Sequence, residues 1–254
     1  MRRIISKLVV GLFVLMLAAP ASAAPLQILV WQDPLNFAFV QDGGVGDANP
    51  AVGAVTFIGA VGTFNVNVTT GLSAPVIGSA SAAELDLSSV NVSSGAGGTL
   101  QVWVSDANYS FAGLPLGTPL AAIGNVGGTI TAPVGSSVSF QSWVNPCNIA
   151  FLLNSGPSSI IPPGDPCSDV PVYVPGVSAS AGAYAFTDSA LFAYAGPFAM
   201  ASAAFINLAG PGSLSFDQDL LVPIPEPTSM LLLGTGLAGL AGAARRRMKK
   251  LRAA

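Results

Sequence analysis

No histidine occurs anywhere in the 254 residues, and between Pro25 and Val222 there is no lysine or arginine either. All nine cationic side chains sit at the two ends: Arg2, Arg3 and Lys7 in front, Arg245, Arg246, Arg247, Lys249, Lys250 and Arg252 behind. The body retains Asp33, Asp42, Asp47, Glu84, Asp86, Asp106, Asp165, Asp169, Asp188, Asp217 and Asp219. Its formal charge is therefore −11, which the whole-chain value of −3 conceals. Each absence excludes something. A body without cations cannot neutralise phosphates, so nucleic acid is ruled out as its partner. Without histidine, no Ser-His-Asp or Cys-His nucleophile and no His-ligated metal site can be assembled. Nor can side-chain salt bridges hold the body together. Burial, backbone hydrogen bonds and any disulfide must do so.

Cysteine is nearly absent too. Cys147 and Cys167 are the only two, and they enclose a Pro- and Gly-rich stretch (Gly156-Pro157, Pro162-Pro163-Gly164-Asp165-Pro166). In an exported chain such a pair reads as a structural disulfide, and the lack of a CxxC spacing argues against a redox pair. Closing a loop of about 21 residues contributes roughly 3 kcal/mol on the chain-entropy account.

What is present alternates with period two. Phe64, Val66 and Val68 interleave with Asn65, Asn67 and Thr69, and Leu100, Val102 and Val104 with Gln101, Trp103 and Ser105. Val138, Phe140, Ser142 and Val144 repeat the pattern, as do Leu214, Phe216, Gln218 and Leu220 against Ser215, Asp217 and Asp219. Such runs predict half-buried strands. Along Leu85, Leu87, Val90 and Val92 the phase slips at Ser88-Ser89, as at a β-bulge. Turns are expected at Asp42-Gly43-Gly44, Ala96-Gly97-Gly98, Gly127-Gly128 and Gly210-Pro211-Gly212. The Ala-rich stretch 178–207 reads as strand hairpins because its aromatics fall largely at even steps. The expected fold is all-β: one antiparallel β-sandwich, jelly-roll-like, over residues 24–222.

Candidate chemistry is thin. Asp42-Gly43-Gly44-Val45-Gly46-Asp47-Ala48-Asn49 alternates oxygen-bearing side chains with glycine, so Asp42, Asp47 and Asn49 are candidate Ca²⁺ ligands. The stretch lacks the spacing and terminal Glu of an EF-hand, and a solvated turn is the alternative. Asp217 and Asp219 share one strand face, which suits either an ion site or a polar outer surface. Glu84 and Asp86 also share a face, which does not set two carboxylates on opposite sides of a sugar, so no enzymatic activity is expected. Trp31, Trp103 and Trp143 offer flat surfaces for glycans, with burial against the second sheet or a loop as the alternative. The N-x-S/T matches at Asn67, Asn91 and Asn108 are at chance frequency in so Asn- and Thr-rich a body.

The two ends carry the clearest instructions. Arg2, Arg3 and Lys7, then an apolar stretch from Leu8 to Ala19, then Ala21-Ser22-Ala23 describe a secretory signal peptide over 1–23, cut by signal peptidase. At the other end Pro225, Glu226 and Pro227 close a Pro-rich linker, 223–227. An uncharged run follows over 228–244, about 26 Å as a helix and able to span a membrane with some snorkelling. Arg245, Arg246 and Arg247 open a basic stop over 245–254, expected on the cytoplasmic side. Val222-Pro223-Ile224-Pro225-Glu226-Pro227-Thr228-Ser229, the Leu-rich run after it and the arginines together resemble the bacterial PEP-CTERM sorting tail. That resemblance covers about thirty residues. It implies recognition by the membrane transpeptidase exosortase, a transient inner-membrane stage and cleavage near Pro225–Pro227. The expectation is an exported, acidic, non-catalytic protein of the cell surface or extracellular polysaccharide matrix. The rival is a module binding Ca²⁺ or glycan.

Overall fold

The computed structural model describes residues 26–224 apart from 75, 80, 149, 151–169 and 179–180, with backbone alone at 69, 170–178 and 181. Twelve strands make two six-stranded antiparallel sheets, and no helix occurs among the described residues. Sheet A runs in the order β2 (Asn36–Gln41), β1 (Gln27–Asp33), β6 (Gly98–Tyr109), β11 (Phe198–Leu208), β8 (Ser137–Asn145), β9 (Val170–Ser178). Sheet B runs β10 (Ala181–Ala193), β7 (Pro119–Thr131), β12 (Gly212–Pro223), β5 (Ala82–Ser94), β4 (Phe64–Leu72), β3 (Ala54–Val61). Strands β5 to β8 alternate between the sheets, and β11 and β12 return to fill the central places. Both late strands are thus hydrogen-bonded on two sides, which ties the chain's end to its middle.

The core lies between the sheets and uses the positions that alternation marks. Val66, Leu85, Leu87, Val90, Leu214, Phe216 and Leu220 from sheet B meet Ile28, Val30, Val102, Val104, Val138 and Phe140 from sheet A, all buried. Tyr109, Phe111, Phe192, Tyr194 and Phe198 seal one end with rings 5.6–6.4 Å apart. Gln218 points inward, as its place among the apolar residues of β12 anticipates. Its Nε2 donates to Ser142 Oγ (3.2 Å) and the Gln141 carbonyl (3.3 Å), and Ser142 meets Ser202 hydroxyl to hydroxyl at 2.8 Å. This small polar bridge joins the two sheets through an otherwise apolar interior.

The slip at Ser88-Ser89 is a bulge. Phe216 pairs with Val90 and Gln218 with Leu87, so two residues of β5 oppose Asp217 alone. Ser89 has φ 51°, and its N–H donates to Asp217 Oδ1. Two expectations are corrected. Gly127-Gly128 is no turn but lies inside β7, where a Cβ on Gly128 would strike the Ser215 carbonyl and the Tyr184 hydroxyl. Glycine is there for close approach, not for chain reversal. The Ala-rich stretch does form strands, but β10 and β11 do not pair as a hairpin: β10 edges sheet B and β11 is central in sheet A. Small residues suit β11 because it is buried on both faces.

Candidate functional site

With the interior filled by the core, anything the body binds must meet an outer face or a loop. The outer face of sheet A carries all three tryptophans. Trp103 on β6 and Trp143 on β8 flank β11, roughly two strand spacings or about 9.6 Å apart at the backbone. Their rings lean over Ala203 and Ala201, their respective register partners, and stack at 5.4 Å with 7° between planes. Only alanine-sized residues on β11 leave room for this. Phe205 meets the edge of Trp103 at 5.4 Å, and Gln101 Oε1 accepts from Trp103 Nε1 at 3.0 Å. Both stacked tryptophans are 3% exposed, so neither offers a free ring face. They face away from the second sheet, which removes packing against it as the reason for their burial. Ala150 packs on Ala107 and Ala199 at the far end of the same face.

Exposure returns toward the β1–β2 corner. Phe37, Trp31, Gln101 and Phe205 are direct register partners across β2, β1, β6 and β11, so they form one row. Phe37 is 43% exposed and Phe39, one row behind it, 39%, while Trp31, Gln101 and Phe205 are half-buried. On this same face Trp31 Nε1, both amide atoms of Gln27 and Ser105 Oγ are buried without a hydrogen-bond partner. Each such group costs about 1–3 kcal/mol if left so.

The outer face of sheet B is the opposite. Ile58, Asn67, Asn91, Ser215 and Thr129 form one row across five strands, and Ala60, Asn65, Ser93, Ser213 and Thr131 the next. These two rows floor a shallow groove of ≈ 570 Å³. It contains no aromatic ring. Hydrogen bonds that merely replace those to water contribute only about 1 kcal/mol each, so this groove has little with which to hold a sugar. Beyond it the face turns acidic. Asp86 stands opposite Asp219, which accepts from Asn125 Nδ2 at 2.8 Å. Burial, then the neighbouring Asp219, Asp217 and Glu84, push the Asp86 carboxyl up to about 7. Asp106, at the inner end of β6, is pushed up to about 6 by burial, against hydrogen bonds from Ser73 and Ala107.

The loop holding Asp42, Asp47 and Asn49 uses its oxygens on backbone amides. Asp42 Oδ2 accepts from Gly53 N (2.6 Å), Asp47 Oδ2 from Gly43 N (3.0 Å), and Asp47 Oδ1 from both Asn49 N and Thr56 N. Asn49 Oδ1 accepts from Ala51 N at 3.0 Å. These bonds account for the acids as loop builders, and among the described residues no cluster of three or more Asp, Glu, Cys or His is arranged for a metal. The N–H of Cys147 donates to Asn145 Oδ1 at 2.8 Å in the turn after β8. Its expected partner Cys167 lies outside the described residues, as do Ala21, Ala23, Pro225, Glu226, Pro227, Arg245, Arg246 and Arg247.

The described chain ends where the tail begins. Pro223 still pairs with Ala82, Ile224 N donates to the Ser81 carbonyl (2.8 Å), and Ile224 packs on the core. The folded body thus runs two residues past the expected boundary at Val222. Residues 223–247 match the profile of the PEP-CTERM protein-sorting motif. The tail is a PEP-CTERM sorting signal. Such a tail implies an exported protein processed by exosortase, and this one leaves directly from the central strand of sheet B. No curated protein matches the chain. Among solved structures, it is similar to a Family 16 Carbohydrate Binding Module-2 at 13% identity, covering 50% of this chain and 71% of that one, TM-score 0.24. TmCBM61 in complex with β-1,4-galactotriose follows at 10% identity, 62% and 86% coverage, TM-score 0.24. An infectious bursal disease virus Gx strain structure gives 14% identity, 81% and 54% coverage, TM-score 0.28. Likenesses this loose carry no argument about ligand or function.

Sequence reasoning named Trp31 but missed the row it belongs to. Phe37, Phe39 and Phe205 carry no motif. Only strand register brings them beside Trp31.

Proposed function

We propose that this is a non-catalytic component of the cell surface or extracellular polysaccharide matrix, exported behind a signal peptide over 1–23 and released from the inner membrane by exosortase. The observation that carries this reading is the PEP-CTERM motif at 223–247 joined to a sandwich that is complete before the motif's Pro-Glu-Pro begins. Cleavage near Pro225–Pro227 removes the expected membrane helix and leaves all twelve strands intact. A Cys147–Cys167 disulfide would pin the excursion between β8 and β9 in that oxidising setting.

Intact mass and cell fractionation of the native protein test it. The expected result is a chain starting near Ala24, lacking everything after about Pro227, with its two thiols oxidised, in the surface or matrix fraction. A full-length C-terminus in the inner membrane would overturn it. A second reading, glycan binding by the body, is favoured by the half-exposed aromatic row on sheet A. Ca²⁺ binding at Asp42, Asp47 and Asn49 has no such observation in its favour: Asp42 Oδ2, both Asp47 oxygens and Asn49 Oδ1 accept from backbone amides.

A further inference from the structure

We infer that the row Phe37–Trp31–Gln101–Phe205 is a binding strip for an uncharged glycan chain. The inference rests on the glycan-binding reading and gives it a place and a ligand class. Register puts the four residues side by side on adjacent strands, so the strip runs across them for three spacings, about 14 Å. That is long enough to meet more than one sugar ring.

The chemistry of the strip suits a sugar's two kinds of surface. Three aromatic rings provide the apolar faces against which the C–H face of a pyranose packs. Gln101 stands among them, its Oε1 engaged by Trp103 Nε1 and its Nε2 left to donate. Trp31 adds an N–H that has no acceptor in the free protein, and a turn of its half-exposed ring would bring that donor to a ligand hydroxyl. The backing is rigid. Phe205 is held by Trp103, which is held by Trp143, so the strip is largely preformed.

Charge sets the ligand class. The body has no cation with which to pair a uronate, sulfate or phosphate, and its eleven acids repel any polyanion. An uncharged polysaccharide meets neither obstacle. A second copy of this chain would face the same repulsion, acid against acid, which disfavours the strip as a self-association surface.

Affinity electrophoresis of the mature protein, purified from its producing cell, tests this in gels holding hydroxyethyl cellulose, glucomannan or galactan, with alginate as the charged control. At least one neutral polymer should retard the protein, and alginate without divalent cations should not. Phe37→Ala and Trp31→Ala, each with unchanged circular dichroism, should weaken retardation at least about tenfold. No retardation by any neutral polymer would overturn the inference, as would retardation that both variants leave intact. So would a sedimentation shift from dimer to monomer in Phe37→Ala with no effect on sugar, which would make the strip a self-interface. The two readings fail separately. A surface-located, tail-cleaved protein that no neutral polymer retards keeps the sorting role and loses the strip. An uncut membrane protein that hydroxyethyl cellulose retards keeps the strip and loses the sorting role.

Discussion

On sheet A the positions turned away from the core hold Trp31, Phe37, Trp103, Trp143 and Phe205, whereas on sheet B they hold Asn65, Asn67, Asn91, Ser215, Asp86 and Asp219. Both faces belong to strands with the same inward apolar rhythm. The difference lies in what the outward residues do to one another. On sheet A two rings reach across a strand of alanines and stack. On sheet B short polar side chains hydrogen-bond across strands, Asn125 to Asp219 and Thr129 to Ser215, leaving an open polar groove and a row of crowded acids. An outward position is therefore not by itself a solvent-exposed one: Trp103 is 3% exposed and Phe37 43% on the same face.

That contrast can be broken most sharply at the tryptophan stack. Trp103→Ala removes a fully packed ring together with its contacts to Trp143 and Phe205, so denaturant unfolding should show a loss of about 3–5 kcal/mol. The circular dichroism band from two coupled indoles should vanish with it. A loss under about 1 kcal/mol would mean that the outer face of sheet A is merely covered surface. Ala203→Leu tests the same face from beneath and should cost about 1–3 kcal/mol, because there is no space for the added carbons under the rings.

A smaller effect of opposite sign is expected on sheet B. The Asp86 carboxyl is raised from 3.8 to about 7, so the folded state holds its proton more tightly than the unfolded chain does. Stability from this group is fully present below about pH 4 and is lost as pH rises through about 7. Asp106, raised to about 6, adds a parallel slope over the lower part of that window. Asp86→Asn should therefore stabilise the protein at pH 8 by on the order of 1–2 kcal/mol, discounted for solvent screening, and change little at pH 4. Thermal melts at the two pH values check this. Equal gains at both would show that the crowding of acids is not the cause.

The smallest expected change is at the bulge. Ser89 sits at φ 51°, a region costly for a residue with a Cβ, and glycine relieves that cost while adding freedom to the unfolded chain. Ser89→Gly should gain a few tenths of a kcal/mol in urea unfolding, and a clear loss would show that the Ser89 side chain anchors the bulge.

The bulge was legible because a phase slip in the apolar pattern needs an extra residue somewhere, and Ser88-Ser89 was the only place for it. The aromatic row was not, because its members lie on four strands drawn from residues 31 to 205. The Gly128 position misled for a related reason: two adjacent glycines suggest a turn, and only the Ser215 carbonyl and the Tyr184 ring packed against the strand show why a side chain is excluded there. In the Asp42–Asn49 loop the oxygen content is visible in sequence, whereas the backbone amides those oxygens accept from are not.

By itself the amino-acid order determined the inward faces of β4, β5, β6, β8 and β12, the address written at the C-terminus and the histidine- and cation-dependent chemistry that the body lacks the residues for. These depend on local period, contiguous motif or composition, all of which survive in one dimension. The tertiary structure alone decided which strands became neighbours, that β11 would serve as the floor of a tryptophan stack, and that Asp86 would face Asp219. Cross-strand pairing joins residues more than a hundred positions apart, and the forces on an outward side chain are set by those partners rather than by its neighbours along the chain.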